Sequence, residues 1–205
     1  ANLEFRVGAT EATSSIQAFK LPGLTWVDSP GLHSVNPENG DLAKKYVEHA
    51  DLILYTMTSG APGRESDLKE IAELIRMGKR VLLLITGSDD TGFSVNDAGE
   101  VVYALIMKEP ATRKKQQEHV LNELSKINVN HQHLDVISLS ARFAQNNQLN
   151  SAAFLDSGMG VLFETLVNIN QSEGIKIKRD VPIKNFNNFL QSCIDKQLPP
   201  FYEII

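Results

Sequence analysis

The sequence lacks several features that would place a protein in a specialised class. It has one cysteine, Cys193, which excludes an internal disulfide framework and any zinc site built from several cysteines. No apolar run approaches the ~18 residues that a membrane-spanning helix needs. The opening residues, "ANLEFRVGATEATSS", do not have the charged and then apolar layout of a signal peptide. We therefore expect a protein of a reducing compartment, the cytoplasm.

An excess of basic residues is also missing. The chain has 20 Lys+Arg against 25 Asp+Glu, a formal net charge of −5 at pH 7. Because nucleic-acid binding requires a basic surface, the charge balance predicts no nucleic-acid partner. The remaining composition, 42% hydrophobic and 22% charged over 205 residues, is ordinary for a globular protein with one α/β domain and a small extension, or with two small domains.

Helical and strand patterns alternate along the chain, which is typical of a three-layer α/β fold. Residues 14–21 and 24–27 flank the turn "LPG", and their pattern predicts an antiparallel hairpin. Three apolar runs, "DLILYTMT", "RVLLLIT" and "LDVISLSA", predict buried strands of a parallel sheet. Helical spacing of apolar residues predicts helices within 39–50, 67–79, 112–127 and 160–169. The segment 87–111 is expected to combine loop and short helical structure.

The composition shifts after Gln171. The stretch "SEGIKIKRDVPIK" is basic and contains Pro182, which predicts a linker. The following "NFNNFLQSCIDKQL" places Phe186, Phe189, Leu190 and Ile194 on one stripe of an amphipathic helix. We therefore expect one domain over residues 1–171, and a linker with a helix of a neighbouring helical domain over 172–205.

Polar loops follow the predicted strands. "VDSPGL" contains Asp28 and Gly31, "ITGSDD" runs through Thr86 and Asp89, "SLSAR" ends at Arg142, and a threonine-rich loop, "VGATEATSS", precedes the hairpin. Ligands of open α/β sheets bind outside the carboxyl ends of the strands, so these loops predict one binding site. Taken singly, each loop is equally well explained as a turn, since Asp, Ser, Pro and Gly favour turns.

In this order, the loops resemble the guanine-nucleotide-binding motifs of translation-factor-type (TRAFAC) GTPases, and within them the Era-like and bacterial dynamin-like branches. The resemblance covers Val7 to Ile169. It implies a P-loop-GTPase-like α/β domain with a mostly parallel sheet and one antiparallel edge hairpin. It also implies a cytoplasmic protein, peripheral to a membrane, that binds GTP or GDP with magnesium and hydrolyses GTP. Its switch loops would control self-association through the GTPase domain or contact with a membrane surface.

The resemblance assigns roles around the phosphates and the metal. Thr13, with Thr10 as second choice, would be the switch threonine on magnesium, and Asp28 would hold the metal through water. The Gly31 N–H would meet the γ-phosphate. His33 is a candidate, by position alone, for the group that orients the attacking water.

The resemblance also assigns the residues around the base. Asp89 would accept two hydrogen bonds from guanine, and the Ala141 N–H would meet the guanine O6. Ser140 would brace that loop, while Thr86 and Arg142 complete the predicted set of nucleotide-binding residues.

The sequence departs from this family in two ways. The phosphate loop, G-x-x-x-x-G-K-[ST], is absent, together with the first strand, which the family places between segments 24–28 and 51–58. We therefore expect an incomplete chain whose segment alone is inactive. Gly87 stands where the family usually has a lysine, which predicts guanine binding that is weaker by about tenfold, or a relaxed choice of base.

Two other interpretations compete with the GTPase. The first is a degenerate, non-hydrolysing scaffold that keeps the fold for protein interaction, which the missing loop and Gly87 both favour. The second is a flavodoxin-like or receiver-type domain, although the first strand carries no paired acids to hold a receiver's metal.

Overall fold

The computed structural model describes residues 17–21, 24–29, 37–95, 98–193 and 195. The strands and helices, in chain order, are β1 Gln17–Leu21, β2 Leu24–Asp28, α1 Pro37–His49, β3 Ile53–Thr58, α2 Glu65–Arg76, β4 Val81–Thr86, β5 Asp89–Val95, β6 Val101–Met107, α3 Pro110–Lys126, β7 Val136–Ser138, α4 Ala141–Asn146, α5 Ser151–Asp156 and α6 Met159–Ser192. This is an α/β fold, as predicted.

The chain forms two compact units. The larger consists of residues 52–171, and the other combines 1–51 with 172–205. The larger unit contains β3 to β7 and the predicted base-binding loops, and it is the part of the chain that positions the candidate site.

A parallel sheet lies at the centre of the larger unit. Its order is β3-β4-β7, with Ile53 opposite Val81 and Ile85 opposite Ser138. All five residues from Val81 to Ile85 are buried, which explains why β4 reads as a continuous apolar run instead of an alternating one. The three predicted parallel strands are confirmed.

Helices α2 and α3 cover this sheet with apolar side chains. Leu68, Ile71, Ala72 and Leu74 of α2 are buried, as are Val120 and Leu124 of α3. Burying each of the larger of these side chains contributes roughly 1.5–3 kcal/mol relative to leaving it in water. The sheet and its two helices therefore form a stable base for the loops at the sheet edge.

In the smaller unit, β1 and β2 form the predicted antiparallel hairpin. Gln17 lies opposite Asp28, and Leu21 lies opposite Leu24. Exposure alternates along β2, so one face of this strand is sheltered and the other is open. Among the described strands, β2 pairs only with β1, and β3 pairs only with β4.

The segment 87–111 does not have the predicted loop and short helical structure. It contains a second antiparallel hairpin, in which Asp89 lies opposite Met107 and Val95 opposite Val101. The apolar run "VVYALIM" has no period-2 alternation, so it was compatible with a helix. Its Val, Tyr and Ile residues nevertheless favour a strand.

The predicted linker is also wrong. Helix α6 runs from Met159 to Ser192 with Pro182 inside it. A proline removes one hydrogen bond from a helix and strains one turn, but it does not force the chain to leave the helix. None of the helices in the described ranges is both long and apolar enough to cross a membrane.

Candidate functional site

Two of the predicted base-binding loops meet at one edge of the parallel sheet. The Ser88 N–H donates to the Leu139 carbonyl at 3.1 Å, and the Leu139 N–H donates to the Ile85 carbonyl at 2.9 Å. These bonds extend the β4–β7 pairing past the carboxyl ends of both strands. Residues 86–89 and 139–142 therefore lie side by side, although about fifty positions separate them in the sequence.

Ser88 anchors the loop that leads to Asp89. It is fully buried, its Oγ donates to the Ile85 carbonyl at 2.9 Å, and its carbonyl accepts the Lys108 N–H at 2.9 Å. Asp89, the first residue of β5, is half-buried beside it. The backbone that presents the Asp89 carboxylate is therefore held from both sides.

Gly87 has a backbone reason to be glycine. Its φ is +63°, in the left-handed region, and a Cβ built there would meet no atom within 4 Å. Space is available for a side chain, but a lysine in this conformation costs roughly 1–2 kcal/mol. The turn therefore disfavours the lysine that the resemblance leads us to expect at this position.

Thr86 and Ser140 both act within the fold. The Thr86 Oγ1 donates to the Met57 carbonyl at 3.1 Å and so joins the ends of β3 and β4. Ser140, 1% exposed, caps α4 by accepting the Phe143 N–H at 3.0 Å, and its own N–H donates to the Ser157 carbonyl at 2.9 Å. Ser140 is thus a buried side chain that holds the start of α4, and its role in bracing a base-binding loop stays a prediction.

Ala141 and Arg142 are the first two residues of α4, and both are exposed. Among the described residues, the Ala141 N–H has no hydrogen-bond acceptor, as is usual in the first turn of a helix. A donor at this position is available to a ligand at the same sheet edge as Asp89.

Lys108 is a residue of this edge that sequence reasoning missed. Its Nζ donates to Ser59 Oγ at 3.1 Å and lies 4.0 Å from Asp90 Oδ1, while the Ser59 hydroxyl donates to the Gly87 carbonyl. The Lys108 side chain is 17% exposed, against 61% for Asp90. Holding a largely buried ammonium beside one distant carboxylate is costly, so this cation is a candidate ligand-binding group. Recognising the β5–β6 hairpin in the sequence would have identified it, because the hairpin brings Lys108 back beside Ser88.

Other predicted site residues lie elsewhere. Thr13, Gly31 and His33 are outside the described residues. Asp28 is the half-buried last residue of β2, in the smaller unit. Across the described ranges, no group of three or more His, Cys, Asp or Glu side chains is placed to hold a metal ion. Asp28 supplies a carboxylate, the type of oxygen ligand that magnesium prefers, and its role as a ligand stays a prediction.

A comparison with family models bears on the identity of this fold. Residues 6–88 match the model of the dynamin family. Over this part of its length the chain is similar to the dynamin family. The matched segment includes Asp28 and Gly87 and ends at Ser88, so the loop 139–142 lies outside it.

An uncharacterized protein of Acinetobacter baylyi is similar to this chain. The two are 29% identical over 196 residues, which is 92% of this chain and 38% of that protein. The chain therefore spans less than half the length of this relative.

Proposed function

We propose that the dynamin-like domain binds guanine nucleotides at the edge where β4 and β7 end, and that the full-length protein hydrolyses GTP. The observation that carries the proposal is the hydrogen bond of 3.1 Å between Ser88 and Leu139, which brings the loops 86–89 and 139–142 together. GTP hydrolysis depends mainly on positioning and charge stabilisation, so two preformed loops are a suitable base for such a site.

The Asp89 carboxylate would accept hydrogen bonds from two guanine N–H groups that adenine does not present in the same arrangement. The Ala141 N–H would donate to the guanine O6, while Ser140 holds the loop and Thr86 joins the strands beneath. Arg142, exposed at the start of α4, would place a cation near the bound nucleotide. These roles together predict a preference for GTP over ATP.

Lys108 would supply the ammonium that Gly87 does not. The turn at Gly87 disfavours a lysine there, and the β5–β6 hairpin instead delivers Lys108 to the same loop from the other side. Its ammonium would meet the polar groups of the nucleotide in place of the motif lysine. Lys108 would in this way restore part of the guanine-nucleotide affinity that is expected to be lost because residue 87 is glycine instead of lysine.

The phosphate end of the site would rest on Thr13, Asp28 and Gly31. Thr13 and Asp28 would hold magnesium, whose charge would stabilise the phosphate oxygens during transfer. The Gly31 N–H would donate to the γ-phosphate, and His33 would orient the attacking water. Release of this phosphate would free both switch loops, as order-to-disorder switches require.

The nucleotide proposal is tested by titrating the full-length protein with GTP, GDP and ATP in the presence of Mg²⁺. We expect GTP to bind at least tenfold more tightly than ATP. Asp89→Asn and Lys108→Gln should each weaken GTP binding about tenfold or more, because each removes a charged partner of the nucleotide.

The matched control is Asp135→Asn, which makes the same change at an exposed carboxylate just before β7, at the opposite end of that strand from the site. Its GTP affinity should equal that of the wild type. Equal GTP affinity in the Asp89 and Asp135 variants would contradict the proposed base site.

The alternative is a non-hydrolysing scaffold that keeps this fold for protein contacts. Gly87, which stands where the family usually has a lysine, favours it. Phosphate release by the full-length protein discriminates the two functions. Turnover supports the GTPase, whereas absence of both turnover and nucleotide binding supports the scaffold.

For the protein as a whole we propose a cytoplasmic, dynamin-like GTPase at a membrane surface. Residues 1–171 would be its GTPase domain and 172–205 would join a neighbouring helical domain. The Era-like branch is the alternative assignment within the same class. Nucleotide-dependent self-association through the GTPase domain is expected, and size-exclusion chromatography with GTP and GDP would measure it.

A further inference from the structure

A second candidate site lies in the larger unit, away from the predicted nucleotide-binding residues. It is a cavity of about 480 Å³ between residues 61–64 and one face of α3. This volume falls within the range of small-molecule sites. Its lining includes Arg64, Lys115 and His119 but no acidic residue and none of the residues assigned to guanine.

The wall of the cavity is built by regular structure. Helix α3 contributes Thr112, Lys115, Gln116 and His119, whose spacing of three and four residues places them on one helix face. All four of these side chains can donate hydrogen bonds, and Lys115 also carries a positive charge. The face therefore offers hydrogen-bond donors and one positive charge opposite the 61–64 loop, within a lining whose exposed surface is mostly apolar.

Two contacts tie the loop to the helix. The Gln116 Nε2 donates to the Ser59 carbonyl at 2.7 Å. Gly63, at φ +74°, lies so close to α3 that an added Cβ would be 3.4 Å from Val120 Cγ2. The loop and the helix are consequently held together, which lowers the entropic cost of ordering them around a ligand.

The cations of the cavity are poorly compensated. Within the described part of the chain, neither Arg64 nor Lys115 has a carboxylate within ion-pair distance, and the Glu123 carboxylate is 3.9 Å from His119 Nδ1. The neighbouring Lys114 is different, since its Nζ lies 3.9 Å from Glu118 Oε1. In a chain of net charge −5, such a local excess of positive charge favours an anionic ligand.

Gln116 indicates that the ligand also carries a hydrogen-bond donor. Its Oε1 is buried and has no hydrogen-bond partner among the described residues, while its Nε2 is held by Ser59. A buried acceptor without a donor is unfavourable. A ligand hydroxyl or N–H group would satisfy it once a shift of the Gln116 amide exposes this oxygen to the cavity.

We propose that this cavity binds a small phosphate ester. Its phosphate would lie between Arg64 and Lys115, where guanidinium and ammonium groups form charge-assisted hydrogen bonds with phosphate oxygens. A hydroxyl of the same ligand would donate to Gln116 Oε1 after the amide shifts toward the cavity. The site is separate from the guanine site and does not depend on GTP binding.

The test is calorimetric titration of the full-length protein with ribose 5-phosphate, with ribose and inorganic phosphate as partial probes. We expect ribose 5-phosphate to bind and ribose not to bind. Inorganic phosphate should bind at least tenfold more weakly than the ester, because it lacks the sugar hydroxyls. Arg64→Gln and Lys115→Gln should each weaken binding of the ester about tenfold.

Lys114→Gln is the matched control, since it removes the same charge one residue away on α3 and should leave ribose 5-phosphate binding unchanged. GTP binding should stay within twofold of the wild type in all three variants, and circular dichroism verifies their folding. No binding of the ester at millimolar concentration, or equal affinity in the three variants, would overturn the proposal. Ester-induced amide shifts at 87–89 and 139–141, instead of 61–64 and 112–119, would overturn it as well.

Discussion

At the scale of single residues, the candidate site depends on side chains and turns that hold the backbone. Ser88 and Ser140 are almost completely buried, and both use their hydroxyl groups for main-chain hydrogen bonds. The sequence pointed to Ser140 through the "SAR" motif, but nothing in the local pattern distinguished Ser88 from a surface loop residue. Burial of a small polar residue depends on neighbours that are distant in the sequence.

Gly158 packs against Ser138 and Leu139, at the end of β7 that forms this sheet edge. Its φ is +78°, and an added Cβ would lie 2.1 Å from the Ser138 carbonyl oxygen and 3.1 Å from Leu139 Cα. Gly158→Ala should therefore lower the free energy of unfolding by about 3 kcal/mol or more, because the clash involves backbone atoms that cannot rotate away. Urea unfolding of the two proteins measures the loss.

The control for this substitution is Gly99→Ala. Gly99 has a similar φ, +80°, but an added Cβ there meets no atom within 4 Å. Only the backbone strain should remain, about 1–2 kcal/mol. An equal loss in both variants would show that the contact with Ser138 and Leu139 is unimportant.

Tyr55 links β3 to α2. Its hydroxyl donates to Glu70 Oε2 at 2.9 Å and faces Asp67 Oδ1 at 3.5 Å. Burial, followed by the negative charge of Glu70, raises the pKa of Tyr55 above its ordinary value of 10.0. Tyr55→Phe should cost about 1–2 kcal/mol of stability at neutral pH, since it removes a hydrogen bond to a carboxylate.

The stabilisation by Tyr55 should depend on pH in the alkaline range. Because the raised pKa keeps the folded tyrosine protonated, the unfolded chain loses this proton first, at about pH 10. The stabilisation is complete below pH 10 and declines above it, so the stability gap between wild type and Tyr55→Phe should narrow there. The exposed Tyr46→Phe serves as control; a constant gap for Tyr55→Phe across pH 8–11 would contradict this reasoning.

At the scale of helices and strands, apolar runs were the reliable signal. β3, β4 and β7 were predicted because each is a short, nearly continuous apolar run, and the structure buries the central one completely. Helices α2 and α3 were predicted from their apolar spacing. The β5–β6 hairpin was missed because its strands are exposed, with Phe93 76% and Tyr103 72% accessible. A strand without a buried face has no alternation for the sequence to display.

Helix α6 provides an element-scale prediction. Pro182 lacks the N–H that would donate to the Lys178 carbonyl, so the helix loses one bond and gains a steric clash. Pro182→Ala should raise the free energy of unfolding by about 2 kcal/mol, after allowing for the greater freedom that alanine gives the unfolded chain. Thermal unfolding measures the change.

The comparison variant is Ile183→Ala, which alters the next, exposed residue of α6 and should change stability by no more than about 0.5 kcal/mol. If the Pro182 variant melts at the wild-type temperature, the helix is not continuous through this residue in solution.

At the scale of the whole molecule, the α/β fold class could be predicted from the sequence. The order of the loops along Val7 to Ile169 suggested a likeness to dynamin-like GTPases, and residues 6–88 match the model of the dynamin family. The extent of α6 was not within reach, because a proline and a basic stretch are as common in linkers as in exposed helices.

Local patterns were sufficient to establish the α/β class, the central strands and the candidate base-binding loops, because period and apolar content reflect burial directly. The folded chain was needed to join residues 86–89 to 139–142, to return Lys108 to Ser88, and to set Arg64 opposite Lys115. These contacts join residues far apart in sequence, and their formation depends on strand register and helix packing. Strand register and helix packing cannot be predicted from the residues of a single segment, because each depends on the segment that it contacts.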